Sequence, residues 1–316
     1  MVDDAATTAH RADEHSVVAL PGGVPAIDRQ RLLLERPPSR LAVWVRFARN
    51  RIAVVAALVL AIICGTALAA PLIIDHEQVL VQERRQTFAA PSSDAWFGRD
   101  ELGRDAFARA VYGARISLTV GLVSALISTV IGVVFGMLAG YFGGWIDAII
   151  DRFTELILTI PFLLLLILAA AVMRPSVTSI ILILGLFDWA VLARLVRGEF
   201  IAMRHREFVE AARALGCDHS RIILRHILPN VVAPVIVSMT LLVAVHITAE
   251  AAISFLGLGI QPPTPSWGNL LTEAQRYIIS APFLAIFPGL LILITVLCIN
   301  LVGDGLRDAL DPRLKR

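Results

Sequence analysis

Lysine is almost missing from this chain: of 28 basic side chains, Lys315 alone is a lysine. A P-loop sets Gly-Lys-Ser/Thr at a helix start so that the lysine reaches the phosphates. That tripeptide does not occur here, which excludes nucleotide hydrolysis by this route. Cysteine is scarce as well. Cys64, Cys217 and Cys298 show no paired spacing, so neither a disulfide framework nor a thiolate metal site nor a nucleophile is read from them. His-Glu-x-x-His and Gly-x-Ser-x-Gly are absent, so no catalytic or metal-ligating residue is assigned. Charged residues make up only 17% of the chain, and a net charge of +2 singles out no partner; no nucleic acid is expected.

What is abundant is apolar. Hydrophobic residues reach 57% and mean hydropathy is +0.75, too high for a water-soluble domain. Six runs have the roughly 17–25 residues a bilayer helix needs. They are 52–74, 116–140, 145–172, 177–193, 231–255 and 283–302. Before them, residues 1–39 are polar and read as a disordered cytoplasmic tail. Within 40–51, Leu41, Trp44, Val45 and Ala48 form an apolar stripe opposite Arg46 and Arg49, which predicts a helix lying at the membrane interface. Residues 75–115 form an extracytoplasmic loop, and 306–316 a cytoplasmic tail after Asp304-Gly305 ends the last helix. Arginine concentrates before the first span, in the 194–225 loop and at the carboxyl end, which puts these segments and both termini inside.

The longest strongly charged run between two such spans is 197–230. At helical period it divides at Leu215-Gly216-Cys217. Ile201, Phe208, Ala212 and Leu215 share a face in the first half; Ile223 and Ile227 share one in the second, until Pro229 stops the run. Gly216 supplies the turn and Asp218 can cap the second helix. Two small amphipathic helices held between membrane spans suit a docking element, although a charged loop on lipid headgroups has the same pattern.

Three further features stand out. Ser124, Ser128, Gly132, Gly136 and Gly140 recur every fourth residue, a ridge that permits close helix packing, expected here within one subunit rather than between subunits. Asp147, Asp151 and Glu155 form a carboxylate ladder, read as sitting at the headgroups, with Arg152 able to pair with Glu155. Asp188, His246 and Glu250 fall at bilayer depth, where a charge costs roughly 2.5–3.5 kcal/mol on insertion scales. His246 and Glu250, four apart, share a face and can hydrogen-bond; these residues either line a solute path or are satisfied locally, with Glu250 near the outer rim capping a loop.

Glu210-Ala211-Ala212, Gly216 and Leu228-Pro229 resemble the E-A-A-x3-G-x9-I-x-L-P signature of bacterial ABC importer permeases, with His226 in the isoleucine position. Leu102-Gly103-Arg104-Asp105, Gly113-Ala114-Arg115-Ile116-Ser117-Leu118, the 254–268 stretch and the 300–313 stretch narrow the resemblance to the C-type permease of dipeptide, oligopeptide and nickel importers. Gly98-Arg99-Asp100 departs from the usual Gly-Thr-Asp. Trp267, in the 254–268 stretch that leaves the membrane on the outer side, is placed as an interfacial anchor. The resemblance implies an all-helical type I permease of six spans in the bacterial inner membrane, with core 116–305. It implies a homologous second permease subunit, two ATPase subunits that bind ATP and magnesium, and an extracytoplasmic solute-binding protein. It makes Glu210, Ala211, Ala212, Gly216, Leu228 and Pro229 the ATPase-coupling residues, and no cofactor belongs to this chain. Peptide is the expected solute, with nickel, haem or glutathione as alternatives. An ion-coupled secondary transporter using Asp188, His246 and Glu250 is the competing class.

Overall fold

The computed structural model describes residues 40–74 and 79–310. The expected tail at 1–39 lies outside them. Helix α1 (Arg40–Arg49) ends at Asn50, whose Oδ1 accepts the Ala53 amide at 3.2 Å and so starts α2 (Arg51–Ile73) in a new direction. Then come α3 (Ala106–Phe142), α4 (Gly144–Thr159), α5 (Phe162–Val172), α6 (Val177–Phe187), α7 (Ala190–Met203) and α8 (Glu207–Ala214). A turn at His219–Arg221 and a π-helical stretch, Ile222–Ile227, lead into α9 (Leu228–Phe255); α10 (Trp267–Gln275) and α11 (Phe283–Leu310) complete the order.

Helix α3 is the axis of the bundle. At about 1.5 Å per residue its 37 residues span about 55 Å, well beyond the roughly 30 Å of bilayer hydrocarbon. It begins ten residues before the apolar run because Asp105 caps it, Oδ1 accepting the Phe107 and Ala108 amides at 2.8 and 3.3 Å. From Ser128 onward its small-residue ridge faces α6 and α7 of the same chain, while Ser124 meets α9. A Cβ added at Gly132 would lie 2.9 Å from the Trp189 carbonyl oxygen, and one at Gly140 would lie 2.6 Å from that of Arg197. Ser128 Oγ donates to the Gly185 carbonyl at 3.0 Å. The ridge is an internal seam.

The third span is broken. Pro161 has no amide hydrogen and pushes Ile160 into extended backbone, so α4 and α5 meet at 86°. Five helical stretches are long and apolar enough to cross a membrane among the described residues, and the bent pair makes a sixth. Contacts decide that the pair crosses. Asp147, in the first turn of α4, is bonded to Arg197 at the inner end of α7, whereas Leu166 and Ala170 of α5 pack with Ile253 in the last turn of α9 and Ile260 just beyond it. Gly305 of α11 lies against Ala53 and Phe47, so the start of the first span and the end of the last share one side. That requires an even number of crossings.

Two other expectations are corrected. Asp304-Gly305 does not end the last helix: Gly305 is the small residue that admits α2 and α1, and α11 runs on to Leu310, into the expected tail. The remainder of that tail lies outside the described residues. Trp267, expected at the membrane interface through its place in the 254–268 loop, is fully buried, its Nε1 donating to the Ala110 carbonyl at 3.0 Å. Trp44, Trp96 and Trp145 are the exposed indoles.

Candidate functional site

The hairpin between the fourth and fifth spans is built by two rules. Helix α8 ends in a Schellman motif: Gly216, at φ +78°, donates to the Arg213 carbonyl at 3.0 Å and Cys217 to that of Ala212 at 3.1 Å. Glycine takes this backbone without penalty. Val209 and Ala212 on one side of the turn then meet Ile222, Ile223 and Ile227 on the other. All five are buried against Tyr141 of α3, Leu192, Val196 and Phe200 of α7, and Val231 of α9. Tyr141 Oη and His219 Nδ1, 2.8 Å apart, add a polar tie. The hairpin is therefore fixed to three spans.

This packing differs from the expected faces. Ile223 and Ile227 do turn inward together, but in the first half it is Val209 with Ala212 that is buried, while Phe208 and Leu215 face outward. Pro229 does not stop the second half. It sits in the first turn of α9, directly after the π-helical stretch, and the run flows into the fifth span. The exposed surface of the hairpin carries Glu210, Ala211 and Gly216, with Leu215 85% and Leu224 56% exposed. Ala212 is buried and Leu228 half-buried, so these two hold the hairpin rather than form its face.

Of the polar residues at bilayer depth, the structure joins two and separates the third. His246 is fully buried; its Nδ1 lies 2.7 Å from Ser124 Oγ and its Nε2 3.1 Å from Asp188 Oδ2, at the joint between α6 and α7. Glu250 is also fully buried, with other partners. Ser117 Oγ donates to its Oε2 at 2.9 Å and Ser254 Oγ to its Oε1 at 2.8 Å. Ser117 in turn accepts the Trp267 amide and Ser254 the Ile260 amide, so Glu250 anchors the loop that carries the chain from α9 to α10. The carboxylate ladder divides as well. Arg152 pairs with Glu155 at 2.7 Å, as its spacing suggests, while Asp147 takes a two-pronged bond from Arg197 at 2.5 and 2.9 Å.

One constellation has no counterpart among the sequence expectations. On the outer side, Arg109 is 2% exposed and donates to Asp100 at 2.7 Å and to Glu273 at 2.5 and 3.1 Å. Arg104 joins it, donating to Asp100 at 2.6 Å and to Glu273 at 3.3 Å. Oxygens of Asp100, Glu101 and Glu273 converge, and the Arg104 and Arg109 guanidinium groups offset two of these three charges. Burial raises the Glu101 carboxyl above the ordinary range. The density of charge from Arg99 to Asp105 was the visible signal; the partner Glu273, 164 residues from Arg109, left none.

A bundle of apolar, membrane-length helices with a packed hairpin on its inner side is the architecture of a multi-pass membrane protein. Residues 132–316 match the family described as binding-protein-dependent transport system inner membrane component, and the chain belongs to that family. Residues 39–91 match the N-terminal TM domain of oligopeptide transport permease C. The chain is 42% identical over 272 residues to the glutathione transport system permease protein GsiD of Shigella flexneri serotype 5b (strain 8401), covering 86% of this chain and 90% of the relative. It is 40% identical over 267 residues to the dipeptide transport system permease protein DppC of Alkalihalophilus pseudofirmus, covering 84% and 88%. A chain of the inward-facing MetNI methionine ABC transporter superposes with a TM-score of 0.53 at 19% identity, over 64% of this chain and 96% of that one, which shows a shared fold. The protein is thus a multi-pass component of a bacterial inner-membrane importer, working with an ATPase and a binding protein, and not an enzyme.

Proposed function

We propose that this chain forms one half of the translocation path of an ATP-driven importer of di- and oligopeptides. A homologous permease subunit supplies the other half, two ATPase subunits bind ATP and magnesium below, and an extracytoplasmic binding protein delivers the peptide. The relatives named for glutathione and dipeptide transport support a peptide-class solute. The observation that carries the mechanism is the anchoring of the hairpin: Val209, Ala212, Ile222, Ile223 and Ile227 lock it to α3, α7 and α9. A push on Glu210, Ala211 and Leu215 would then move these spans with the hairpin instead of bending a loop. Closure of the ATPase dimer rocks the bundle between outward and inward openings.

Uptake of a labelled dipeptide into proteoliposomes holding all subunits tests the reading. ATP-dependent uptake that survives a protonophore is expected. Uptake that tracks the proton gradient and ignores ATP would instead favour ion coupling through Asp188 and His246.

A further inference from the structure

A cavity of about 350 Å³ opens on the outer side between Glu101, the loop 257–262 and α10 with the residues after it. Its size falls within the roughly 300–1,000 Å³ typical of small-molecule sites. Most of its polar lining is already committed. Asn269 Nδ2 donates to the Ile260 and Thr264 carbonyls and its Oδ1 accepts the Ser266 amide; Thr272 Oγ1 donates to the Ser254 carbonyl. Glu273 is held by Arg109 and Arg104. Ser254, on the floor, is tied to buried Glu250. These bonds make the walls rigid and leave few groups able to meet a solute.

The groups left over carry opposite charges. Arg276 lines the cavity and is exposed, and its guanidinium has no hydrogen bond or ion pair among the described residues. Glu101 gives Oε1 to Arg104 at 3.2 Å and is bonded to no other side chain. Gln261, also on the lining, has its Nε2 held by the Gly257 and Gly259 carbonyls. One unpaired guanidinium and one carboxylate with a single side-chain partner in a single rigid cavity are complementary to a solute bearing both a carboxylate and an ammonium group.

We propose that this cavity is a low-affinity site for short zwitterionic peptides on the outer face of the permease, with Arg276 receiving the peptide carboxylate and Glu101 the terminal ammonium. The assignment rests on the peptide reading above and extends it: solute released by the binding protein meets a first station on this chain before entering the membrane. Charge-assisted bonds in a half-open cavity give selectivity between charged and blocked termini more than they give strong binding.

The experiment uses the assembled importer in nanodiscs without the binding protein, and radiolabelled trialanine as probe. Saturable binding to the wild type is expected, weakened at least tenfold by Arg276→Ala and by Glu101→Gln, and largely kept by Arg276→Lys. N-acetyl trialanine and trialanine amide should each compete at least tenfold less well than the free peptide. Both positions touch solvent, so assembly checked by size-exclusion chromatography should be unchanged. Unaltered binding by the Arg276→Ala importer, or equal competition by the amide, would overturn the site. Binding-protein-driven uptake of trialanine separates the two levels. If the wild type imports trialanine while the variants bind it normally, the cavity assignment falls and the peptide reading stands. If the wild type neither imports nor binds it, both fall.

Discussion

Gly136 of α3 passes so close to Ala193 of α7 that an added Cβ would lie 2.5 Å from the Ala193 carbonyl oxygen. Backbone meets backbone there, and neither side has a flexible end that could yield. Gly136→Val should destabilise the bundle by about 1–3 kcal/mol or more, the usual range for overpacking. Gly198→Ala, on the same α7 but with nothing within 4 Å, should be neutral. Thermal unfolding of the two variants in detergent, side by side, checks the contrast.

Removing Arg109 takes one of two guanidinium partners from Asp100 and the two shorter bonds from Glu273, leaving Arg104 alone against both carboxylates. Breaking one member of a buried ion pair costs about 3–5 kcal/mol, since the remaining charge stays desolvated. Arg109→Met should therefore lower the unfolding temperature and loosen the 99–105 segment. Adding Glu273→Gln should restore part of the loss, because it removes one uncompensated charge. Hydrogen exchange over residues 99–105 distinguishes local loosening from global unfolding.

Glu250 is expected to act through its hydrogen bonds rather than its charge. Glu250→Gln keeps an oxygen for Ser117 and should transport within a few-fold of the wild type. Glu250→Ala orphans two buried hydroxyls, each costing about 1–3 kcal/mol, and should lower stability and uptake together. A Gln variant that assembles normally but transports nothing would show that the charge itself is needed on the solute path.

Gly216 and Glu210 separate turn geometry from contact. Proline at 216 cannot adopt φ +78° and deletes the amide that bonds Arg213, so Gly216→Pro should abolish uptake while the protein still inserts. Gly216→Asn, which tolerates the left-handed region, should retain most activity. Glu210→Arg leaves the exposed backbone intact and reverses a surface charge; loss of uptake with unchanged subunit assembly is expected. Uptake assays paired with membrane fractionation read both.

The sequence was most legible where one chain segment decides its own structure. The hairpin stood out because charge interrupts two apolar runs, and its division at Gly216 comes from local backbone chemistry. The small-residue ridge announced close packing in the same way. What stayed hidden depended on distant partners. Helix α3 starts at Asp105 rather than at the hydropathy edge, because a cap and the Arg109 cluster support its polar outer turns. The buried face of α8 differs from the expected one because Phe208 and Val209 are adjacent, and only contact with Ile222 and Ile227 selects Val209. Trp267 read as an interfacial anchor because its carbonyl partner on Ala110 lies 157 residues away. The break in the third span was present as Pro161, yet composition alone shows one continuous apolar run.

The most direct test places a photo-crosslinking residue at Leu215, the most exposed apolar side chain of the hairpin, in the assembled importer. Crosslinking to the ATPase subunit is expected, with a yield that changes between nucleotide-free and ATP-trapped states. A Leu215 crosslinker that captures only lipid, in both states, would contradict coupling through this hairpin.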